Sequence, residues 1–490
     1  MKGDFSRETF DPQRHFSRVL MQQGRVQLDA DWNEQVAIQL HLLRSLAADL
    51  IGPHGGPLGA FQVVPAAAPM KNDFVIGAGR YYVDGWLCQN EGHVGFRGAP
   101  PSLSPQPYYY AQFDGDPGSV LKAGSKYLVY LDVWERHVSY AETEGPIEAE
   151  LRAPASLREL ALGGPDTTTR AQTIWQVRVR ELPNDGASPT NVAEWRKWVQ
   201  ARWNTFEQEW ESPRRGFLKA EARTPTGDDR SPCAVPPESR YRGLENQLYR
   251  VEVHRGGLAS DERLGGALKA GASFKWSREN GAVVFPIADI DGKTIRLDGW
   301  GRDGRFALSA GQWVEVIDDL AALHHRANPL RRVIDVDRDT LTVSLDAAPD
   351  ASIDLSRHAL LRRWDHRTRP APKPEGPSVE PDNAVVVAEE KWIELEDGVR
   401  VWFDRWPDPA HPNQYRTGDY WLIPARTAIG DIVWPRQRTT SGGSVPALRS
   451  PHGVDHHFAP LAVVGFDTGG VASVLADLRR TIAPLGQPVP

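Results

Sequence analysis

Turn-forming residues recur along the whole chain, which contains 44 glycines and 39 prolines among 490 residues. Such frequent turns favour many short strands over long helices. An apolar fraction of 40% is sufficient for packed cores, and a chain of this length corresponds to roughly three domains of about 150 residues. The sequence therefore predicts a mainly β, multidomain protein built from short antiparallel, sandwich- or barrel-like modules. It adds one N-terminal helix and one inserted tryptophan-rich helix.

Charge and hydropathy argue against several classes of protein. A formal net charge of −7 is atypical of nucleic-acid binders, which usually carry a basic face. No run of 18 apolar residues is present to cross a membrane, and the charged start at residues 1–5 lacks the apolar segment of a secretory signal. We therefore expect assembly in the cytoplasm, no nucleic-acid partner and no membrane insertion.

Residues 1–60 form an N-terminal arm and helix, which we interpret as a docking element. Asp31 is predicted to cap the helix, with Glu34 as its capping-box partner. The apolar residues between 36 and 51 extend beyond a single helical stripe, so the helix is expected to be buried on more than one side. The glycines and prolines of 52–57 end it.

Residues 61–188 are predicted to form a first β domain. The alternation around Asp84-Gly85 predicts a hairpin with its turn at these two residues. Further strands are predicted at 126–133 and 173–179. In the second of these strands, Trp175 and the valines at 177 and 179 share one face.

A helical insertion and loop follow at 189–235. Asn191 and Glu194 form a possible capping box. Three tryptophans, Trp195, Trp198 and Trp210, then fall near helical spacing. Packing against a neighbouring sheet and docking to another protein both explain this pattern, because tryptophan is a preferred interface anchor.

The remaining chain is predicted to be β-rich. A second β domain spans 236–365, and five prolines in 366–385 indicate a semi-extended linker. A C-terminal β domain spans 386–490, with a short helical tail predicted near 472–482.

Histidine and aspartate clusters give no complete metal site. The pairs at 324–325 and 456–457 are adjacent residues, which point to opposite faces of a strand, so each pair needs ligands from elsewhere. The aspartate strings at 289–292 and 335–339 do not continue into a twelve-residue calcium loop and are typical of hairpin turns. We expect no metal and no cofactor.

No catalytic motif identifies a reaction. The chain lacks a Gly-x-Ser-x-Gly elbow and a phosphate loop, and Cys88 and Cys233 are too few for a disulfide framework. Asp132 with Glu135, or Glu279 with an unidentified partner, leaves open a glycosidase, which needs two acids about 5–10 Å apart. We predict that the chain is not an enzyme.

Several long motifs resemble a bacterial family that is a domain of unknown function. They are MKGDFSRETF at 1–10, QQGRVQLDADWNEQ at 22–35, ALGGPD at 161–166, YRGLENQ at 241–247 and YRTGDYWLIPA at 415–425. The similarity extends over almost the whole chain. Members of that family look like components of phage tail-like, extracellular contractile injection system gene clusters.

This resemblance implies a structural or adaptor subunit, associated with the baseplate, fibre or cap and released with the particle. Its partners would be baseplate, sheath, tube or fibre proteins, or further copies of itself. Candidate interface residues are aromatic: Phe5, Phe10, Phe16, Trp32, Trp195, Trp198 and Trp210. The alternatives are a carbohydrate- or cell-surface-binding module of the particle, favoured by exposed aromatic residues in a groove, and a carried glycosidase-like enzyme, favoured by two acids in a cleft.

Overall fold

A computed structural model describes most of the chain. The described residues are 1–67, 70–98, 103–109, 121–143, 157–162, 164, 166–183, 189–211, 215–224, 240–259, 271–300, 307–365, 384–408, 410–440 and 442–482. Most of the predicted linker, at 366–383, and Cys233 lie outside them. Within these ranges the fold is mainly β, with several sheets and a six-stranded barrel, as the sequence predicts.

Four α-helices lie in the described ranges: α1 Asp29–Ile51, α2 Val192–Gln200, α3 Trp203–Trp210 and α4 Asp319–Leu323. The predicted cap of α1 is wrong by three residues, because Leu28 is the cap and Asp31 lies inside the helix, where it accepts the main-chain N–H of Leu28 at 3.0 Å. Asn191 caps α2 by accepting the N–H of Glu194 at 3.0 Å, as predicted. The tryptophan-rich segment forms two short helices rather than one.

The described strands are numbered in chain order. The first eight are β1 His54–Gly55, β2 Val63–Pro65, β3 Phe74–Ile76, β4 Gly79–Val83, β5 Trp86–Asn90, β6 Val94–Gly95, β7 Lys126–Val138 and β8 Arg170–Leu182. The next nine are β9 Phe217–Ala222, β10 Gln247–Arg255, β11 Ser273–Ser277, β12 Val284–Asp291, β13 Thr294–Leu297, β14 Trp313–Ile317, β15 Arg331–Asp337, β16 Thr342–Leu345 and β17 Leu360–Trp364. The last nine are β18 Val385–Val386, β19 Trp392–Glu394, β20 Val399–Asp404, β21 Tyr420–Arg426, β22 Asp431–Ile432, β23 Arg436–Arg438, β24 Ser444–Pro446, β25 His457–Phe466 and β26 Ala472–Asp477.

The longest strands belong to a four-stranded antiparallel sheet in the order β26-β25-β7-β8. One face of β7 packs into a core with β3, β4 and β8, through residues such as Val129, Leu131 and Trp175. Leu128 on its other face contacts the core beneath α2 and α3. Because both faces are covered, β7 is an almost continuous apolar run rather than an alternating one.

Two further β structures have apolar cores of their own. A closed barrel has the order β12-β13-β16-β15-β14-β17 and its own apolar core, which includes Phe285, Val314 and Leu361. A five-stranded sheet, β18-β11-β10-β21-β22, packs with the three-stranded sheet β19-β20-β9 around Phe274, Phe403 and Trp421.

Strand pairing crosses the predicted domain boundary at residue 386. Strand β21 pairs with β10, and β25 pairs with β7 over His457–Gly465, so the end of the chain completes sheets begun much earlier. The predicted helical tail near 472–482 is wrong: β26 occupies Ala472–Asp477 and pairs with β25. A helix this short has little stability by itself, whereas pairing with β25 gives the main chain of β26 hydrogen-bond partners.

The predicted turns are confirmed where their chemistry is specific. β4 and β5 pair as a hairpin whose two turn residues, Asp84 and Gly85, have φ values of +47° and +80°, as a type I′ turn requires. The string at 289–292 forms the end of β12 and the start of its turn to β13, and the string at 335–339 forms the end of β15 and the start of its turn to β16.

Candidate assembly interface

Helix α1 rests on the turn of the β4–β5 hairpin. A Cβ at Gly85 would overlap the main-chain carbonyl of Arg44 in the helix. Directly after the helix, the carbonyl of Pro53 accepts the N–H of Asp84 at 2.7 Å. The C-terminal half of α1 is therefore tied to the first sheet region by a main-chain approach that glycine permits.

Arg44 fixes the rotation of α1 about its own axis. It is the one arginine or lysine in this helix, and its guanidinium carbon lies 3.3 Å from the centroid of the Trp86 ring. Nη2 of Arg44 also donates to Oε2 of Glu135 at 2.9 Å. The ring contact and the charged hydrogen bond together orient the helix on the body of the protein.

The opposite face of α1 is apolar and exposed. Only Ala30 and Ile38 of the helix are buried, so the prediction that α1 is buried on more than one side is wrong. Seven large apolar side chains of α1 are between 38% and 78% exposed, and we call them the α1 stripe: Trp32, Val36, Leu40, Leu42, Leu43, Leu46 and Leu50. Soluble proteins rarely expose such a contiguous apolar surface unless it binds something.

The spacing within the α1 stripe is that of a helix-pairing seam. Positions 32, 36, 39, 43, 46 and 50 follow each other at alternating intervals of four and three residues. Five of these six positions are apolar, and position 39 is glutamine. At 3.6 residues per turn they lie within about 40° of one line along the helix, and that line is about 120° around the helix from the buried Ile38.

Residues 1–28, the N-terminal arm, run beside α1 without covering its stripe. Oγ1 of Thr9 donates to Oε2 of Glu34 at 2.6 Å, and the N–H of Val19 donates to Oε1 of Gln35 at 2.8 Å. Five apolar side chains of the arm are more than two-fifths exposed: Phe16, Leu20, Met21, Val26 and Leu28. Arm and helix thus lie side by side, and both expose apolar side chains.

The four aromatic candidates of the N-terminal region differ in exposure. Phe5 is half-buried and makes an edge contact with His137, with ring centroids 6.4 Å apart. Phe10 is also half-buried and packs on the ring of His41. Phe16 is 50% and Trp32 63% exposed, so these two lie on the open surface.

The tryptophans of α2 and α3 pack mainly inside the chain. Trp195 is 3% exposed and lies in a core with Phe206 on the back of the four-stranded sheet. Trp210 stacks on Tyr130 of β7, with ring centroids 3.9 Å apart and planes 10° from parallel. Trp198 is partly buried against the same core. These contacts match the alternative in which the insertion packs on a sheet.

The first residues of the arm insert into a buried ionic cluster. Nζ of Lys2 lies 3.2 Å from Oε1 of Glu252, and Arg250 donates to the carbonyl of Met1 at 3.0 Å. The side-chain amide of Asn280 donates to the carbonyl of Gly3 at 2.9 Å. A cavity of about 160 Å³ beside these contacts is lined by both Met1 and Lys2. The cluster anchors the arm at its start.

The buried carboxylate of Glu252 is stabilised by the positively charged side chains around it. Burial alone would raise the pKa of Glu252, but Lys2, Arg250 and Lys275 outweigh it and hold that pKa well below its usual range. Burial lowers the pKa of the Lys2 ammonium to about 8, against the attraction of Glu252. Removing Glu252 would take away the carboxylate that Lys2 and Arg250 share, whereas removing Lys2 would still leave Glu252 paired with Arg250 and Lys275.

The histidine and carboxylate candidates form structural contacts. Nδ1 of His456 lies 2.6 Å from Oδ1 of Asp132, whose other oxygen pairs with Nε of Arg178 at 2.8 Å. Burial lowers the pKa of the neighbouring His325 to about 3. Among the described residues, no group of three or more histidine, cysteine, aspartate or glutamate side chains is arranged to hold a metal ion.

Asp132 and Glu135 do not face one cleft. They are three positions apart on β7, so their side chains point to opposite faces of the sheet. Asp132 is held by His456 and Arg178, whereas Glu135 bonds Arg44 of α1. Glu135 therefore positions the helix instead of pairing with a second acid.

Sequence reasoning missed Arg44, the close approach of α1 to Gly85 and the ionic cluster around Glu252. Arg44 left a signal, since it is a lone base within a leucine-rich helix. The contact of Lys2 with Glu252 joins residues far apart in sequence, and no local pattern indicates it. Its charges come together only after the sheets have formed.

The fold defines a class of protein: a mainly β, multi-sheet chain that displays an apolar helix on its surface. Within this class, the family model described as "Family of unknown function (DUF6519)" matches residues 1–209 and 215–474. The chain therefore belongs to the DUF6519 family. No curated protein and no solved structure matches it. In the described part of the chain, no α-helix has the length and apolarity needed to span a membrane.

Proposed function

We propose that this chain is a structural or adaptor subunit of a phage tail-like contractile injection particle. It acts through protein–protein contacts made by α1 and the N-terminal arm. Its partners are baseplate, sheath, tube or fibre proteins, or copies of itself. It is assembled in the cytoplasm and released with the particle. The particle is inferred from the family resemblance of the motifs at 1–10 and 22–35. Action through protein–protein contacts is inferred from the exposure of the α1 stripe.

The single observation that supports an assembly role best is the exposure of the α1 stripe on a firmly held helix. Leu43, Leu46 and Leu50 are 62%, 55% and 78% exposed. Burial of one leucine side chain is favourable by about 1.5–3 kcal/mol, so a partner that covers these leucines would gain binding free energy. Arg44 and Gly85 orient the helix, so the face is presented before any partner arrives. Pre-ordering of this kind reduces the entropic cost of binding.

The test is recovery of the protein from lysate of its own cells, with mass spectrometry of the proteins that accompany it. The variant carries Leu43→Glu and Leu46→Glu. Its matched control is Ile334→Glu, because Ile334 of the barrel is 54% exposed. We expect sheath, tube, baseplate or fibre proteins with the wild type and the control but not with the variant.

A wild-type eluate that contains only this chain would contradict the proposal, as would unchanged recovery with the double variant. Point substitutions are preferable to deletion of residues 1–35. Deletion would remove residues 29–35 of α1 and would also remove the contacts of Met1, Lys2 and Gly3 with the buried cluster, so loss of partners would not report on the α1 stripe.

A glycan-binding module is the second candidate, and one surface favours it. Trp392 and Trp402 lie side by side on β19 and β20, with ring centroids 5.6 Å apart and planes tilted by 60°, and both are partly exposed, as aromatic rings that contact sugars often are. Arg400 and Lys219 lie over these rings at 4.6 Å and 4.4 Å. Binding on a glycan array that is lost with Trp402→Ala and retained with Trp406→Ala would support this candidate.

A further inference from the structure

We propose that the partner of the α1 stripe is α1 of a second copy of this chain, which also contacts the arm of the first copy. The proposal rests on the proposed function, because it names the neighbour at the same assembly face. Three features of the described residues support it: the seam spacing, the charges of arm and helix, and the place of the arm beside the stripe.

The seam spacing indicates a helical partner. Alternating intervals of four and three residues keep an apolar line facing a second helix over several turns. With 23 residues, α1 is about 35 Å long, which is long enough for six seam positions to engage. The polar Gln39 within the seam is the type of residue that specifies register in paired helices.

Charge complementarity indicates that this helix comes from another copy. Residues 12–28 of the arm contain Arg14, Arg18 and Arg25 and no acid. In contrast, α1 contains four acids (Asp29, Asp31, Glu34 and Asp49) and one base, Arg44, which faces the body. A basic arm beside an acidic, apolar helix forms a surface that is complementary to itself.

The position of the arm places these charges at the edge of such a pair. The N–H of Val19 bonds Gln35, which flanks the seam on one side, and the exposed Phe16, Leu20 and Met21 lie on the same segment. A second α1 seated on the stripe would meet this segment along its flank. In a two-fold arrangement the arm of each copy contacts α1 of the other copy. The same contact therefore forms twice, and it covers the apolar side chains of both arms and both helices.

The first test is the mass of the full chain by light scattering over a range of concentrations. We expect twice the chain mass of 54.4 kDa for the wild type and for Ile334→Glu. We expect a monomer, or a dimer dissociation constant raised about tenfold or more, for Leu43→Glu with Leu46→Glu. Circular dichroism checks that the variant keeps its fold, since both leucines are exposed.

The second test exchanges charges between arm and helix. One variant carries R14E, R18E and R25E, and the other carries Q39K and D49K, which leave the first turn of α1 intact. Each variant alone should be weakened as a dimer, because like charges then meet. Mixed together they should form a heterodimer, since an acidic arm meets a basic helix and a basic arm meets an acidic one.

Failure of this inference is distinguishable from failure of the proposed function. A wild-type chain that stays monomeric, or a variant mixture that forms no heterodimer, would overturn the second copy as partner. If Leu43→Glu with Leu46→Glu still loses particle proteins in that case, the assembly role stands and a different subunit occupies the stripe. A charge-exchanged dimer from cells in which no particle protein is recovered would overturn the assembly role alone.

Discussion

The guanidinium of Arg44 lies over the ring of Trp86, 3.3 Å from its centroid. This contact joins the N-terminal helix to the first β region, and Glu135 completes it from the neighbouring sheet. The pair decides which face of α1 meets the body and therefore which face is left exposed. The anchoring of one side of the helix therefore leaves an exposed apolar surface on the other side.

Replacing Arg44 should loosen α1 without unfolding the sheets. Arg44→Ala removes both the ring contact and the ion pair with Glu135, and we expect a loss of about 1–2 kcal/mol. Hydrogen exchange of residues 29–51 should accelerate, while exchange in β7 stays unchanged. Arg296→Ala, at an exposed arginine of β13 in the barrel, is the control and should leave α1 protected. Unchanged exchange in Arg44→Ala would show that the contact does not hold the helix.

A methyl group at Gly85 should displace α1. Gly85→Ala places a Cβ against the carbonyl of Arg44 at a φ of +80°, with an expected total cost of about 2–3 kcal/mol. Gly292→Ala is the matched control, because Gly292 also has a positive φ, +56°, but nothing lies near its Cβ position. It should cost about 1 kcal/mol. Equal costs in chemical denaturation would contradict the close packing of α1 on the hairpin.

The tryptophan candidates should separate into two kinds. Trp195→Ala empties a buried site under α2 and should lower stability by about 3–5 kcal/mol, because Trp195 is 3% exposed. Trp32→Ala should change stability by less than about 0.5 kcal/mol but weaken association through the α1 stripe. Thermal unfolding and recovery of partners, measured on both variants, check this division. A large stability loss in Trp32→Ala would place that residue in the core instead.

Glu279 should make the chain less stable as pH rises toward neutrality. Burial and the nearby Asp365 raise the pKa of Glu279 from 4.5 to about 7, although Arg363 opposes them at 3.0 Å. The folded chain then binds this proton more tightly than the unfolded chain. The contribution of the group is therefore full below about pH 4.5 and is lost as pH rises to 7.

The measurement for Glu279 is the free energy of unfolding against pH for wild type and Glu279→Gln. The difference between the two curves should change by about 3 kcal/mol across that window, with the wild type losing stability as pH rises. Glu91→Gln, at an exposed carboxyl, is the control. A difference that is constant from pH 4.5 to 7 would contradict the environment of Glu279 described here.

Local chemistry made some elements predictable. Asp84-Gly85 specifies a two-residue turn because both positions need positive φ, and the alternation of Trp175, Val177 and Val179 specifies a strand face. Asn191 specifies the start of α2 through its own side chain. Each of these preferences acts within a few residues, so it does not depend on contacts with distant parts of the chain.

Other features depended on distant partners. The segment after Ala472 reads as a short helix by itself but becomes β26, because β25 offers an open edge. The leucines of α1 suggest burial on several sides, yet the sheets reach one side of the helix alone. A count of apolar residues cannot show how far the surrounding body extends.

The sequence by itself determined that this is a β-rich chain of many turns with an N-terminal helix, since glycine, proline and alternating residues act locally. The tertiary structure alone decided that α1 exposes its leucines, that Trp195 lies in a core and that Lys2 meets Glu252. These outcomes depend on contacts between residues separated by up to hundreds of positions. These contacts contribute to stability only in the folded chain, so a local sequence pattern does not predict them.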